Sequence, residues 1–138
     1  YKRAFEEAGL EANLRFLYDI PYNDSIRGMI QNRIEKIKPT AVLAVNEIIA
    51  TATITALREM KLSFPQDISL IVYDDLPWAA ASGITTVAHA FESAGALCKS
   101  ILLKAESNDV DKPHKPVKLV IDPMIIARDS VKILTEPK

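Results

Sequence analysis

Apolar residues along this chain either recur with a helical period or form short, largely continuous runs. Two runs, at 41–45 and 68–72, are rich in β-branched and aliphatic residues, and each is soon followed by polar residues. Such runs are typical of strands in a parallel sheet, which is covered on both faces. We predict strands at these two runs and also at 14–18, 84–88 and 117–121, with an extended continuation at 124–127.

Stretches with a helical period lie between the predicted strands. Their apolar spacing of i, i+3, i+4 and i+7 predicts helices at 1–8, 25–36, 47–60 and 92–103, and a short helical turn at 78–82. Helices that alternate with strands in this way require parallel strands joined by right-handed crossovers. The predicted fold class is therefore α/β, with a three-layer open parallel sheet.

Composition and charge argue against several classes of function. The net charge is −1 over 138 residues and the basic residues are scattered, so this chain has no basic face suited to a phosphate backbone. No apolar run approaches the length of a membrane span. The single cysteine, Cys98, excludes a disulfide framework and fits a reducing compartment. We expect a cytoplasmic protein without membrane contact.

Polar side chains follow three of the predicted strands. They are Asp19 and Tyr22, then Asn46 and Glu47, then Asp74 and Asp75. In an open α/β sheet, ligands bind beyond the carboxyl ends of the strands. An aromatic ring beside amide and carboxylate oxygens suits a polyol or a base. Each residue also has a simpler explanation, because Asn46 occupies a helix N-cap position and Tyr22 could pack on the sheet.

Motifs for catalysis and for cofactors are missing from the sequence. His89 follows the strand at 84–88, but no nucleophile motif accompanies it, so a structural histidine is the simplest interpretation. The four glycines are too far apart for a dinucleotide fingerprint, and no phosphate-cradling loop is present. Asp74 and Asp75 could bind Mg²⁺ in principle, yet no further acidic cluster supports a metal site. We therefore predict no cofactor and no metal.

Four phrases together resemble the effector-binding domain of the lactose/galactose-repressor (LacI/GalR) family of bacterial transcription regulators. They are KPTAVLAVNEIIA at 38–50, FPQDISLIVYDD at 64–75, ITTV at 84–87 and ARDS at 127–130. The resemblance covers nearly the whole chain in order and spacing. It implies a two-lobed, type I periplasmic-binding-protein-like fold with a small-molecule effector, such as a sugar or a related polar metabolite, in the cleft between the lobes.

The resemblance also implies how the chain is divided and what surrounds it. Residues 1–88 and 122–138 would form the C-terminal lobe, and 89–121 would cross into a mostly absent N-terminal lobe. The hinges would lie near 88–89 and 121–123. The chain starts inside a helix without a methionine, so we expect it to be the C-terminal piece of a longer homodimeric protein. Operator DNA would be bound by a helix-turn-helix that precedes this piece.

Carried over residue by residue, the family's effector contacts fall on four positions. Tyr22 would stack on the ligand, Asn46 and Asp74 would hydrogen-bond to it, and His89 would be a polar hinge residue. We expect an effector sensor that is not an enzyme. Alternatives left open are an extracytoplasmic sugar-binding protein of a transporter, a small enzyme that uses Asp74 and Asp75, and a regulator that senses a partner protein.

Overall fold

The computed structural model describes residues 1–21, 25–106 and 118–134. Within these ranges, the helices are α1 (Lys2–Glu7), α2 (Ile26–Ile37), α3 (Glu47–Glu59), α4 (Pro77–Ala81) and α5 (Phe91–Glu106). The strands are β1 (Ala41–Ala44), β2 (Ser69–Tyr73), β3 (Thr85–Ala88) and β4 (Met124–Ile126). The predicted helices and three of the predicted strands are therefore confirmed to within a few residues.

The four strands form one open sheet in the order β1-β2-β3-β4. The first three strands are parallel, as predicted for βα units, with Ala44 beside Val72 and Tyr73 beside Val87. The prediction of a wholly parallel sheet is wrong for β4, which runs antiparallel to β3. The reason is that the chain leaves the sheet at the end of β3 and returns beside that same strand.

The core lies on one face of the sheet. Helix α2 packs against α3 through Ile30, Ile34 and Leu57, all buried. Leu70 and Val72 of β2 lie in a second buried cluster that also contains residues of α3 and α4. The opposite face carries apolar side chains that are more than half exposed: Leu43, Val45 and Ile125. The described residues thus form two packed layers, where three were predicted.

Residues 14–18 are not a strand, contrary to the prediction. They form a 3₁₀ turn (Leu14–Phe16) followed by extended chain, and the Asn13 side chain accepts a hydrogen bond from the Arg15 amide. A strand is stabilised by a neighbouring strand, and this segment pairs with none in the described sheet. Phe16 is accordingly 54% exposed. The alternation of apolar residues here is typical of a strand, but no neighbouring strand is present in the described part of the chain for the segment to pair with.

The strand predicted at 117–121 is also not confirmed. Residue 117 lies outside the described residues, and residues 118–121 pair with no strand. Val120 is 79% exposed. Only the continuation after Pro123 enters the sheet, as β4. In the described part of the chain, no helix combines the length and the apolar character needed to span a bilayer.

Candidate functional site

The carboxyl ends of β1, β2 and β3 lie at one edge of the sheet, because these strands are parallel. Three of the four predicted site residues follow these ends. Asn46 comes two residues after β1, Asp74 directly after β2, and His89 directly after β3. The fourth, Tyr22, lies outside the described residues. Asp19, in the loop before it, is exposed.

Asp74 and His89 are in direct contact at this edge. The Asp74 Oδ1 atom lies 3.1 Å from His89 Nε2, and the two side chains are 32% and 42% exposed. The Asp74 amide donates to the carbonyl of Val87 at 3.0 Å, which extends the β2–β3 pairing by one residue. Asp74 therefore presents a carboxylate that is held by the protein and still open to solvent.

His89 is flanked by two aromatic rings. The Tyr73 ring meets it edge-on at 5.0 Å between centroids, and the Phe91 ring lies at 5.2 Å. His89 and Phe91 also line a cavity of about 160 Å³, together with Ala94 of α5 and with Ile121 and Pro123, where the chain returns to the sheet. The histidine thus connects the carboxylate at the end of β2 to the point where the chain leaves the sheet.

Asn46 is the N-cap of α3, as its position predicted. Its Oδ1 accepts a hydrogen bond from the Ile49 amide at 2.9 Å, which satisfies one of the unpaired donors of the first turn. The neighbouring Glu47 accepts a hydrogen bond from the indole Nε1 of Trp78 at 3.4 Å. The cap explains why asparagine stands at this position, and it places the residue at the same sheet edge as Asp74.

Asp75 has a different environment from Asp74. Its Oδ1 accepts hydrogen bonds from Arg128 Nη1 at 2.7 Å and from the Thr86 hydroxyl at 2.8 Å. The same Arg128 nitrogen donates to the Ile84 carbonyl at 2.7 Å. Because Asp75 is committed to Arg128, the two adjacent carboxylates do not act together as a cation site. Among the described residues, no group of three His, Cys, Asp or Glu side chains could hold a metal.

Arg128 was not singled out by its residue type or spacing. Two signals were available: Arg128 lies at the end of an otherwise apolar extended segment, and it belongs to the ARDS phrase at 127–130. The hydrogen bonds from Arg128 and Thr86 hold the pKa of Asp75 below its usual value, and Asp75 in turn raises the pKa of Arg128. The pair is therefore ionised over the whole range near neutrality.

We expect acid to destabilise the fold partly through Asp75. Its pKa is lower in the folded chain than in the unfolded chain, so its stabilising contribution is complete above about pH 4 and is lost as the pH falls through the folded value. Asp75→Asn should give lower stability at pH 7 and a shallower decline as the pH falls below about 4. Urea unfolding over a pH series measures both.

The control for this experiment is Asp122→Asn, which changes an exposed carboxylate. Some acid dependence will remain in both variants. The amide and hydroxyl of Ser63 each donate to Asp67 at 2.8 Å and lower the pKa of that carboxyl. A decline in Asp75→Asn as steep as that of the unchanged protein would show that the Asp75–Arg128 pair does not contribute.

Comparison with known proteins adds the family context. The family profile of the periplasmic binding protein-like domain matches residues 1–131. Over 139 residues the chain is 30% identical to the HTH-type transcriptional repressor PurR of Aliivibrio fischeri, and the match covers 94% of this chain and 40% of the repressor. The chain thus spans about 40% of the length of the curated relatives it matches.

Solved structures of transcription regulators share the fold. A putative LacI-family regulator from Sanguibacter keddieii superposes with a TM-score of 0.77 at 19% identity, over 94% of this chain and 49% of the regulator. The CelR–cellobiose complex superposes with a TM-score of 0.74 at 22% identity, over 94% of this chain and 40% of the regulator. At this level of identity the superpositions establish the fold alone.

Proposed function

Because this chain belongs to the periplasmic binding protein-like domain family, we propose that it is the effector-sensing part of a LacI-type bacterial transcription regulator. The carrying observation is the solvent-accessible Asp74 carboxylate, held by His89 where the parallel strands end. The relatives named as HTH-type repressors support the regulatory class. Catalysis is not part of the proposal, since no nucleophile lies beside His89 among the described contacts.

The proposed effector is a sugar or a related polar metabolite. Asp74 supplies a charged acceptor for hydroxyl or N–H groups, and Asn46 supplies an amide at the neighbouring strand end. Tyr22 is proposed to stack on an apolar face of the ligand, and His89 to act as the polar residue of the hinge. The neighbour solved with cellobiose supports a carbohydrate as one class to test.

The proposed division of the chain has residues 1–88 and 122–138 in one lobe and 89–121 crossing to a second lobe. It is supported by the pairing of Ala88 with Met124, which places the two ends of the crossing side by side. Effector bound between the lobes would favour the closed form. We further propose that the protein is a cytoplasmic homodimer that contacts operator DNA through a helix-turn-helix outside this chain, with α3 and α4 as candidate dimer faces.

A thermal-shift screen tests the proposed function. The panel contains cellobiose, hexoses, pentoses and nucleobases, added at millimolar concentration to the full-length regulator that contains this chain. A ligand at 100 times its Kd stabilises the native state by about 2.7 kcal/mol, which is readily measured as a higher melting temperature. If no compound raises the melting temperature, the effector proposal loses its basis.

We expect Asn46→Asp to preserve the helix cap and to weaken ligand binding. Aspartate caps helices as well as asparagine does, so the melting temperature without ligand should change little. Aspartate has no amide donor and adds a negative charge near Asp74, so affinity for a compound found in the screen should fall about tenfold or more. Titration calorimetry measures the affinity, and Asn13→Asp, at the exposed 3₁₀ turn, is the control. Unchanged affinity in Asn46→Asp would exclude the Asn46 amide from the contacts with the ligand.

A further inference from the structure

The backbone at Asp74 adopts a conformation that aspartate seldom takes. Its φ is +77°, in the left-handed region that favours glycine. A residue of this kind persists only where its surroundings hold it, and such residues concentrate at binding sites. The direction in which the Asp74 carboxylate points therefore depends on what fixes the chain on either side of it.

One side of Asp74 is fixed by the sheet. Tyr73 is paired with Val87 in the β2–β3 ladder, and the Asp74 amide itself donates to the Val87 carbonyl at 3.0 Å. The other side is not in a strand, since residues 75 and 76 have no regular secondary structure before α4 begins at Pro77. Here the Leu76 carbonyl accepts hydrogen bonds from the Ala79 and Ala80 amides. The described side-chain contacts on this side are those of the Asp75 carboxylate.

Asp75 is held by a residue that is itself rigidly placed. Arg128 donates from Nη1 to Asp75 Oδ1 and to the Ile84 carbonyl, both at 2.7 Å. The Arg128 amide donates to the Thr85 hydroxyl at 2.9 Å. Thr86, the second donor to Asp75, is fully buried in β3. Arg128 is thus attached to β3 at both its backbone and its guanidinium, and Asp75 is attached to it.

We infer that Arg128 is a positioning residue for the effector site: it acts through Asp75 to hold Asp74 in its left-handed conformation, with the carboxylate directed to the ligand. The part of this inference that concerns the ligand rests on the proposed function. Arg128 lies after the crossing returns to the sheet, whereas His89 lies where it departs. Asp74 is thus contacted by a residue at the start of the crossing, and Asp75 by a residue that follows its end.

The first arm of the test requires no ligand. Native-state amide hydrogen exchange, followed by NMR, compares the Asp74 amide with that of Leu57 in the buried core of α3. In Arg128→Met, exchange at Asp74 should rise at least tenfold more than at Leu57. The matched control is Ser130→Ala, which alters the same segment without touching Asp75 and should raise exchange at Asp74 relative to Leu57 by less than threefold. Parallel rates in Arg128→Met would overturn the inference.

Two further variants extend the hydrogen-exchange experiment and allow it to be done even if Arg128→Met does not fold. Arg128→Lys retains a cation with three donors, and the three side-chain contacts of Arg128 all start from one nitrogen. The lysine variant should therefore exchange more slowly at Asp74 than Arg128→Met does. If Arg128→Met does not fold, Asp75→Asn breaks the ion pair at constant volume and should give the same selective rise at Asp74.

The second arm uses a compound that raises the melting temperature of the unchanged protein. Its Kd for Arg128→Met should increase at least tenfold, while its Kd for Ser130→Ala should stay within threefold. Equal weakening in both variants would reduce Arg128 to a general structural role. If no compound binds the unchanged protein, the proposed function fails, and the exchange rates still decide whether Arg128 holds the Asp74 turn.

Discussion

Asp74→Asn is expected to remove most of the stabilisation that an effector gives to this chain. A hydrogen bond to a charged group contributes about 1.5–3 kcal/mol, so loss of the carboxylate should weaken binding roughly 10- to 150-fold. Asparagine has the same size and tolerates the left-handed backbone better than most residues, so the fold should be preserved. Thermal shift and titration calorimetry with a compound from the screen measure the effect.

The comparison variant for this experiment is Asp122→Asn. It makes the same chemical change at an exposed carboxylate on the return from the crossing. We expect it to leave Kd unchanged. Should Asp74→Asn bind as tightly as the unchanged protein, Asp74 would be a structural partner of His89 and the ligand site would have to lie elsewhere.

Ser130→Ala is expected to give the largest loss of stability from a single small change. The Ser130 hydroxyl accepts from the Thr85 amide at 2.8 Å and donates to the Leu70 carbonyl at 2.5 Å. It is 1% exposed and joins β2 to β3 just before their ladder begins. Alanine leaves a buried amide and a buried carbonyl without this partner, which costs about 2 kcal/mol and lowers the melting temperature by roughly 6 °C.

Ser100→Ala is the control variant, because it makes the same chemical change at an exposed serine. The Ser100 hydroxyl donates to the Leu97 carbonyl of its own helix, and the residue is exposed. Its removal should change the free energy of unfolding by less than about 0.5 kcal/mol. Equal unfolding midpoints for the two variants in urea would mean that a water molecule replaces the Ser130 hydroxyl at no cost.

The strands and helices that could be predicted are those with a strong local signal. β1, β2 and β3 are short apolar runs, and α3 begins at an asparagine in N-cap position. Because parallel strands place their carboxyl ends together, Asn46 and Asp74 were expected at the same edge of the sheet, and both follow strands that end there. The sheet edge of the candidate site was therefore accessible from the sequence.

The features that could not be predicted depend on distant partners. The direction of β4 is set by where the chain returns, and residues 14–18 carry a strand pattern without a neighbour to pair with. The partner of Asp75 is Arg128, more than fifty positions later in the chain. No local periodicity records which basic residue reaches a carboxylate across the sheet.

The antiparallel pairing of Ala88 with Met124 has a consequence for protein engineering. Opposed residues in such a pair are about 5 Å apart, a gap that two residues in a type I′ turn can close. The whole 89–123 insertion could therefore be replaced by Asn-Gly, which would join β3 and β4 as a simple hairpin. The Arg128–Asp75 ion pair and the hydrogen bonds of Ser130 lie outside the deleted part. The shortened protein would therefore keep these contacts between its strands.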